Sequence, residues 1–327
     1  MRRIWRPLLG LVVVLLALAV AGAIYQAIAT MRAERAYPPP GEMVDVGGYS
    51  LHINCVGQGS PTVVLDAGLG EFSAHWVRVQ REVSDTTRVC AYDRAGMGWS
   101  EMGPEPRDAK QITGELHTLL SKAGIEGPYV LVGHSFGGMY MQTYAARYPE
   151  EVAGVALVDS STELDQFSHR PEARDSNEPQ KQSLALVPRL AQFGVSLLAR
   201  LGVVRLLSNL TPAPPELPPQ QRAQIDALAP STRGVSTFAL EFLAPTQTRR
   251  LESLGNKPLA VVTAGKSKPS WLKRQDDLAT LSSDSTHRVV EGATHTSLLY
   301  ERSDAQATSA AIVEVVAAVR NDRPLAR

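Results

Sequence analysis

A serine flanked by glycines lies within residues 133–138, which read Gly-His-Ser-Phe-Gly-Gly. The aliphatic run Val-Leu-Val precedes this segment, and a helix-like stretch at 139–148 follows it and is closed by Pro149. This order predicts a strand, a sharp turn and a helix, the arrangement of a nucleophile elbow, in which the glycines leave room for a strained serine. We therefore expect the Ser135 hydroxyl at the carboxyl end of a strand, beside a helix N-terminus, where it could attack a carbonyl carbon. The alternative interpretation is an ordinary glycine turn.

The elbow serine needs a base, because an unassisted hydroxyl is a poor nucleophile and histidine titrates near neutral pH. In elbow enzymes the acid and then the histidine follow the serine along the chain. His295 fits this order, since its loop follows the last predicted strand and returns to the sheet edge where Ser135 is expected. The alternative is a surface-loop histidine. We expect His134 to support the turn, and the other histidines to be structural or solvated: His52, His75, His117, His169 and His287.

The acid should accept a hydrogen bond from the histidine and hold its tautomer. Residues 265–270, a few positions past a later predicted strand, contain no carboxylate. Asp159 ends the strand after the elbow helix, so it can face the same histidine and is our predicted acid. Asp276 and Asp277 remain the main alternatives, with Asp284 behind them, and Asp159 could instead cap the next turn.

Two backbone amides should bind the oxyanion that forms during acyl transfer. One is the amide of Phe136, at the start of the elbow helix. The other is expected in residues 66–70, Asp-Ala-Gly-Leu-Gly, from the amide of Gly68 or Leu69. The alternative for this second segment is a plain glycine turn.

Predicted strands and helices alternate along much of the chain, which favours a parallel sheet covered on both faces. The predicted strands are 43–46, 49–56, 61–67, 88–92, 130–132, 152–158, 258–264 and 287–290; the predicted helices are 75–82, 109–123, 139–148, 271–281 and 304–319. Residues 160–254 break the alternation, because they are rich in proline and hold a helix-like run at 195–210. We interpret them as a helical cap inserted between core segments 37–159 and 255–327.

The amino terminus predicts a membrane segment, since Arg2, Arg3 and Arg6 precede 25 uncharged residues at 7–31. A helix there could cross a hydrocarbon core of about 30 Å. We interpret residues 1–36 as a retained signal anchor with its linker, with the amino terminus cytoplasmic and the catalytic domain outside. The alternative is a cleaved signal peptide and a secreted protein, with small-residue sites at 21–23 or 27–29.

Composition favours one large α/β domain, since 44% of the 327 residues are hydrophobic. Lys+Arg and Asp+Glu number 33 each, and this balance gives no reason to expect nucleic acid as a partner. Cys55 and Cys90 lie in strand-like segments, where an oxidising compartment permits a disulfide and buried free thiols are the alternative. No His/Cys/Asp spacing is typical of a metal site.

Three segments together resemble the α/β-hydrolase superfamily, in particular its serine branch of proline-iminopeptidase-like and haloperoxidase-like esterases. They are residues 133–138, residues 93–100 (Asp-Arg-Ala-Gly-Met-Gly-Trp-Ser) and residues 292–295 (Gly-Ala-Thr-His). The resemblance implies an eight-stranded, mostly parallel sheet with helices on both faces, a cap above the site, and acyl transfer to water without a cofactor. Asp66-Ala67 replaces the His-Gly usual in the family, and some members carry the acid where Asp159 stands.

The resulting hypothesis is a serine hydrolase that cleaves a carboxylic ester, hydrophobic or lipid-like, through an acyl-enzyme. A rival hypothesis is an amidase or aminopeptidase of the proline-iminopeptidase type, with Glu163 and Asp165 as ligands of the substrate amine. A third is a ligand-binding protein that uses the same fold without turnover. The sequence leaves the oligomeric state open.

Overall fold

A single twisted sheet organises the molecule, for which the computed structural model describes residues 2–162, 186–244 and 251–325. Among these residues the sheet has eight strands in the order β1-β2-β4-β3-β5-β6-β7-β8. The pairs β1–β2 and β2–β4 are antiparallel and the others are parallel, which confirms the predicted sheet. The strands are β1 Glu42–Asp45, β2 Ser50–Val56, β3 Val63–Asp66, β4 Val89–Tyr92, β5 Tyr129–His134, β6 Val152–Val158, β7 Leu259–Ala264 and β8 Ser285–Val290.

Helices cover both faces of this sheet. Those of the core are α2 Val77–Ser84, α3 Ala109–Lys122, α4 Phe136–Arg147, α9 Pro269–Ala279, α10 Ser297–Tyr300 and α11 Arg302–Asn321. Alternate residues of β3 enter two separate hydrophobic clusters: Val63 and Leu65 pack on the side of α11, and Val64 packs on the side of α3. Both faces of the central strands are therefore buried, as is typical of a parallel sheet.

Between β6 and β7 the described residues 186–244 form four helices, namely α5 Leu186–Arg200, α6 Val203–Ser208, α7 Pro219–Leu228 and α8 Thr232–Leu243. We call residues 186–244 the cap. The sequence predicted one helix over 195–210. The structure has two, because the helix ends after α5, where Gly202 adopts a left-handed φ of 73°. The predicted cap limits of 160 and 254 enclose residues 163–185 and 245–250, which lie outside the described residues.

The amino-terminal helix α1 spans Arg2–Ala36, and its segment Pro7–Ala36 is long and apolar enough to cross a membrane. Its carboxyl-terminal part contacts the cap. Gln26 is buried there, donates from Nε2 to the Pro230 carbonyl oxygen at 3.0 Å, and accepts at Oε1 from Arg205 Nε at 2.9 Å. The helix thus meets the domain through specific hydrogen bonds as well as apolar packing.

Cys55 of β2 and Cys90 of β4 face each other in the antiparallel register. Their sulfur atoms are bonded in a disulfide. The cross-link joins the antiparallel edge of the sheet to its central part.

Candidate active site

Ser135 occupies the turn between β5 and α4 with φ 54° and ψ −122°, backbone angles that residues other than glycine rarely adopt. A Cβ at Gly133 would lie 2.4 Å from the Gly138 amide nitrogen, and one at Gly137 would lie 2.3 Å from the Asp66 carbonyl oxygen. Glycine is therefore required on both sides of the serine. The Ser135 carbonyl oxygen accepts from the amides of Gly138 (3.0 Å) and Ser161 (2.9 Å), which fixes the turn.

The tip of β6 brings Asp159 to His295, with Oδ2 and Nδ1 2.5 Å apart. The other carboxylate oxygen, Oδ1, accepts from Trp271 Nε1 at 2.8 Å and from the Ala264 amide at 3.2 Å. Burial disfavours the charged carboxylate, but the hydrogen bonds from His295 and Trp271 outweigh it and hold the pKa of Asp159 below its usual range. An ionised Asp159 selects the tautomer with hydrogen on Nδ1, so Nε2 can accept a proton.

The alternative acids lie elsewhere. Asp276 is 68% exposed and pairs with His287, whose Nδ1 lies 2.8 Å from Asp276 Oδ1. Asp277 is exposed on α9, and Asp284 accepts from the Leu325 amide at 2.9 Å. Of the four carboxylates considered from sequence, the structure brings Asp159 to His295.

The buried side chain of Arg94 fixes the turn after β3 by hydrogen bonds to its carbonyl oxygens. Its Nη1 donates to the carbonyl oxygen of Ala67 at 2.6 Å, and its Nη2 donates to that of Gly68 at 2.8 Å. Because C=O and N–H point in opposite directions across a trans peptide, the amides of Gly68 and Leu69 point away from Arg94. The Gly68 amide donates to Glu71 Oε2 at 2.9 Å. The Phe136 amide, first in α4, has no intrahelical acceptor.

Glu71 and His134 form a buried pair that the sequence did not indicate. Glu71 Oε2 lies 3.0 Å from His134 Nδ1, and Oε1 accepts from the Tyr300 hydroxyl. Burial opposes charge on both partners, but their attraction outweighs it, so the pKa of Glu71 is lowered and that of His134 is raised. The second ring nitrogen of His134, Nε2, lies 3.0 Å from the His295 carbonyl oxygen, so both ring nitrogens face acceptors, the pattern that favours a protonated ring. The pair thus connects the turn after β3, the elbow and the loop of His295.

A second buried cluster joins the turn after β3 to the cap. Arg94 donates from Nε to Glu241 Oε1 of α8 at 3.0 Å and from Nη1 to Asp66 Oδ1 at 2.6 Å. Asp66 also accepts from the Tyr92 hydroxyl at 2.8 Å. Burial raises the pKa of Asp66 to about 6 against the opposing effect of Arg94, and the nearby Glu241 charge adds to the rise. Asp66, which replaces the histidine usual at this position, is therefore a partner of the arginine in residues 93–100.

Aromatic residues of α8 lie beside this turn. A Cβ at Gly70, which has a φ of 78°, would lie 2.9 Å from the Phe238 ring. Phe238 and Phe242 stack with their ring planes 4° apart and remain 42% and 47% exposed. They present apolar surface next to the turn. The amine ligands considered from sequence, Glu163 and Asp165, lie outside the described residues.

Comparison with known proteins identifies the family. A family model for the alpha/beta hydrolase fold matches residues 61–301. An uncharacterized protein of Schizosaccharomyces pombe is 28% identical over 307 residues, covering 81% of this chain and 54% of that protein, so the chain spans about half of this relative.

Solved structures share the fold. A thermophilic esterase from Thermogutta terrifontis has a TM-score of 0.62 at 20% identity, covering 85% of this chain and 97% of the other. The enol-lactonase from Burkholderia xenovorans has a TM-score of 0.59 at 18% identity, covering 84% and 100%. Because the family model matches well over half of the 327 residues, the chain belongs to the α/β-hydrolase fold family.

Proposed function

We propose that this protein is a membrane-anchored serine hydrolase that cleaves carboxylic esters through an acyl-enzyme. The observation that carries the proposal is the contact of 2.5 Å between His295 Nδ1 and Asp159 Oδ2, at the sheet edge where Ser135 occupies a strained elbow. Nucleophile, orienting acid and base then follow one another along the chain in the order of elbow enzymes. Solved structures of the same fold include an esterase and an enol-lactonase, which hydrolyse related bonds.

In the proposed reaction the Ser135 oxygen attacks the ester carbonyl carbon while His295 Nε2 takes the hydroxyl proton. The tetrahedral intermediate collapses as the bond to the alcohol oxygen breaks, and His295 returns the proton to that oxygen. Water then attacks the acyl-enzyme, His295 takes its proton, and Ser135 regains it as the acid leaves. Asp159 stays ionised and stabilises the imidazolium.

We assign the oxyanion hole to the amides of Phe136 and Leu69. The Gly68 amide, the other candidate from sequence, already donates to Glu71. The Leu69 amide belongs to the peptide whose carbonyl oxygen is bound by Arg94, so it points away from that side chain. Loss of one such donor typically lowers the rate on the order of 10² to 10³.

The apolar surface of Phe238 and Phe242 favours an ester with a hydrophobic acyl or alcohol group. The membrane helix favours the same class, since it holds the domain at a lipid surface. The rival amidase activity would need a site for the substrate amine, and its predicted ligands, Glu163 and Asp165, stay a prediction.

We propose that α1 is a retained signal anchor with a cytoplasmic amino terminus. Arg2, Arg3 and Arg6 precede the apolar segment, against Arg32, Glu34 and Arg35 after it, and positive charge is retained on the cytoplasmic side. The hydrogen bonds from Gln26 to the cap support retention, because cleavage at 27–29 would remove Gln26 and leave Arg205 without this partner. Detection of the intact amino terminus in mature protein tests this.

The catalytic proposal is tested on full-length protein in detergent with p-nitrophenyl esters and a fluorophosphonate probe. We expect hydrolysis and labelling, both abolished in Ser135→Ala. The matched control is Ser270→Ala at an exposed position of α9, which should leave both unchanged. Likewise, His295→Gln should abolish hydrolysis while His287→Gln, at the histidine paired with Asp276, should not. Undiminished hydrolysis in Ser135→Ala contradicts the proposal, and failure of the probe to label Ser135 favours a fold without turnover.

A further inference from the structure

The cap carries exposed apolar side chains on α5, on α6 and in the segment just after α6. We call Leu190, Phe193, Leu197, Leu206, Leu207 and Leu210 the apolar face; each of these side chains is more than 40% exposed. The other side of α5 packs inward, with Ala199 buried and Ser196 Oγ 3.0 Å from Ser236 Oγ of α8. The apolar face therefore belongs to helices that pack on the rest of the cap and carry exposed apolar side chains among the described residues.

This face is continuous with the membrane helix. The link between α5 and α6 sits directly on α1, where a Cβ at Gly22 would lie 2.3 Å from the Leu201 carbonyl oxygen. On the same link, a Cβ at Gly202 would lie 3.0 Å from the Tyr25 ring. Arg205, one helical turn further, is held by Gln26. The position of the cap along α1 is thus fixed at residues 22–26.

The depth of this contact follows from helix geometry. A helix rises about 1.5 Å per residue, so Gly22 lies about 21 Å along α1 from Leu8, the first residue of the aliphatic run. The hydrocarbon core is about 30 Å thick. A core that begins at Leu8 therefore extends past Gly22 to about Ile28, and a tilted helix keeps still more residues inside. With α1 crossing the bilayer as proposed and the core beginning at Leu8, the link between α5 and α6 contacts α1 below the surface of the leaflet on the domain side.

The charges of this region suit the same environment. Residues 186–215 contain three arginines and no aspartate or glutamate. Arg200 is exposed at the end of α5, where its long side chain can reach a headgroup while its stem lies in the apolar region. Exposed leucine and phenylalanine combined with arginine are typical of helices that lie in the membrane interface.

We propose that the apolar face is embedded in the leaflet on the domain side, among lipids with anionic headgroups, and that ester substrates enter the site from this leaflet. The stacked Phe238 and Phe242 rings belong to α8, the helix on which α5 packs, and Phe238 lies beside the turn after β3, so α8 connects the helix of the apolar face to the site. This inference rests on the proposed crossing of the bilayer by α1 and on the proposed esterase activity.

The test uses full-length protein in vesicles of phosphatidylcholine and phosphatidylglycerol. Because both native cysteines form the disulfide, a cysteine introduced as Phe193→Cys can be labelled selectively with an environment-sensitive fluorophore. Glu126→Cys is the matched control, since Glu126 is exposed just before β5, at the sheet edge opposite Ser135. We expect lipid-borne quenchers to reduce the Phe193 signal several-fold and aqueous iodide to have little effect, with the reverse at Glu126.

Quenching of the Phe193 label by iodide overturns the inference, because the face then lies in water. Protection from both quenchers also overturns it and indicates a protein contact, such as a second copy. Equal lipid quenching at both positions, or extraction of the chain from vesicles by alkaline carbonate, overturns it as well. These readouts need no catalysis, so they are independent of hydrolysis of a short water-soluble ester, whose absence contradicts the proposed function instead.

A kinetic comparison tests the route of the substrate. The double variant Phe193→Asp/Leu207→Asp places two charges on the apolar face and changes none of the groups assigned to catalysis. We expect about a tenfold lower rate on a long-chain ester dissolved in vesicles, since partition of charge into lipid is unfavourable, and an unchanged rate on a short soluble ester. If the double variant hydrolyses the long-chain ester as fast as the unmodified protein, substrate entry from the leaflet is refuted. If the double variant loses activity on both the long-chain and the short ester, a role of the apolar face limited to the membrane is refuted.

Discussion

Replacement of Asp159 by asparagine should separate its two roles, because one of its oxygens holds the fold and the other faces the histidine. In Asp159→Asn the amide oxygen can still accept from Trp271 Nε1 and the Ala264 amide. The amide NH₂ then faces His295 Nδ1, which must become an acceptor. The hydrogen of the neutral ring moves to Nε2, and that nitrogen can no longer take the Ser135 proton.

The expected loss in kcat is on the order of 10⁴, the effect of the same tautomer change in Ser-His-Asp enzymes, and it corresponds to about 5.5 kcal/mol in the activation free energy. The free energy of unfolding should fall by no more than about 2 kcal/mol, since two of the three hydrogen bonds persist. The assay is kcat on a soluble p-nitrophenyl ester, with the active fraction counted by the fluorophosphonate probe, together with thermal unfolding.

The matched control is Asp276→Asn, which removes the charge from another aspartate that contacts a histidine, in this case His287. Asp276 is largely exposed and pairs with His287, so kcat should stay within about twofold of the unmodified protein. The assignment of the acid fails if Asp159→Asn keeps more than a tenth of kcat, or if Asp276→Asn produces the larger loss.

Three further predictions concern the buried charges and the cross-link. Glu71→Gln should lower the free energy of unfolding by about 1 to 3 kcal/mol near pH 5 to 6. Because the pKa of Glu71 is lowered, the stabilisation by the pair is lost as pH falls below the ordinary pKa of a glutamate. Because the pKa of His134 is raised, the stabilisation is also lost as pH rises through the pKa of His134 in the folded protein. Equal melting curves for Glu71→Gln and the unmodified protein at pH 5.5 contradict the pair. Asp66→Asn should be the more stable protein at pH 8: the pKa of Asp66, raised from 3.8 to about 6, means that the native state binds more protons and loses up to about 3 kcal/mol as pH rises between these values. If the melting temperature of Asp66→Asn falls between pH 4 and 7 as steeply as that of the unmodified protein, the raised pKa of Asp66 is not the cause of the fall. A thiol count on unfolded, non-reduced protein should find none, and two reactive thiols would rule out the disulfide.

Ser135 and Asp159 could be placed from sequence because each follows an aliphatic strand, and His295 because its loop follows the last strand. Parallel strands end at one sheet edge, so the alternation of strands and helices was enough to predict that Asp159 and His295 come together there. His134 was expected to support the turn, and it does hydrogen-bond on both sides of the elbow. No local motif marks Asp159 as the proposed acid, so the sequence left Asp276 and Asp277 as alternatives; the contact with His295 distinguishes Asp159 from them.

The partners of the turn after β3 could not be predicted, since they depend on side chains that meet across long separations. Glu71 lies 63 residues before His134, and Arg94 lies 147 residues before Glu241. No spacing rule connects such pairs. The break after α5 was also missed, because the apolar pattern continues through Gly202 and only the backbone angle reveals the turn.

The turn after β3 shows how buried charged side chains can orient a backbone amide, here the Leu69 amide proposed to bind the oxyanion. Two carboxylates, Asp66 and Glu71, lie next to amides that are proposed to bind an oxyanion, where unpaired negative charge would oppose the reaction. Each of the two carboxylates lies against a cation, Asp66 against Arg94, which it shares with Glu241, and Glu71 against His134, so neither is left unpaired beside the turn. The same side chains bind the carbonyl oxygen of Gly68 and the loop of His295, and so they set the direction of the amide and the base together. Neutral residues of similar size could fill this space, but they could not fix both peptide directions, because only charged, multidentate groups offer enough hydrogen bonds at one point.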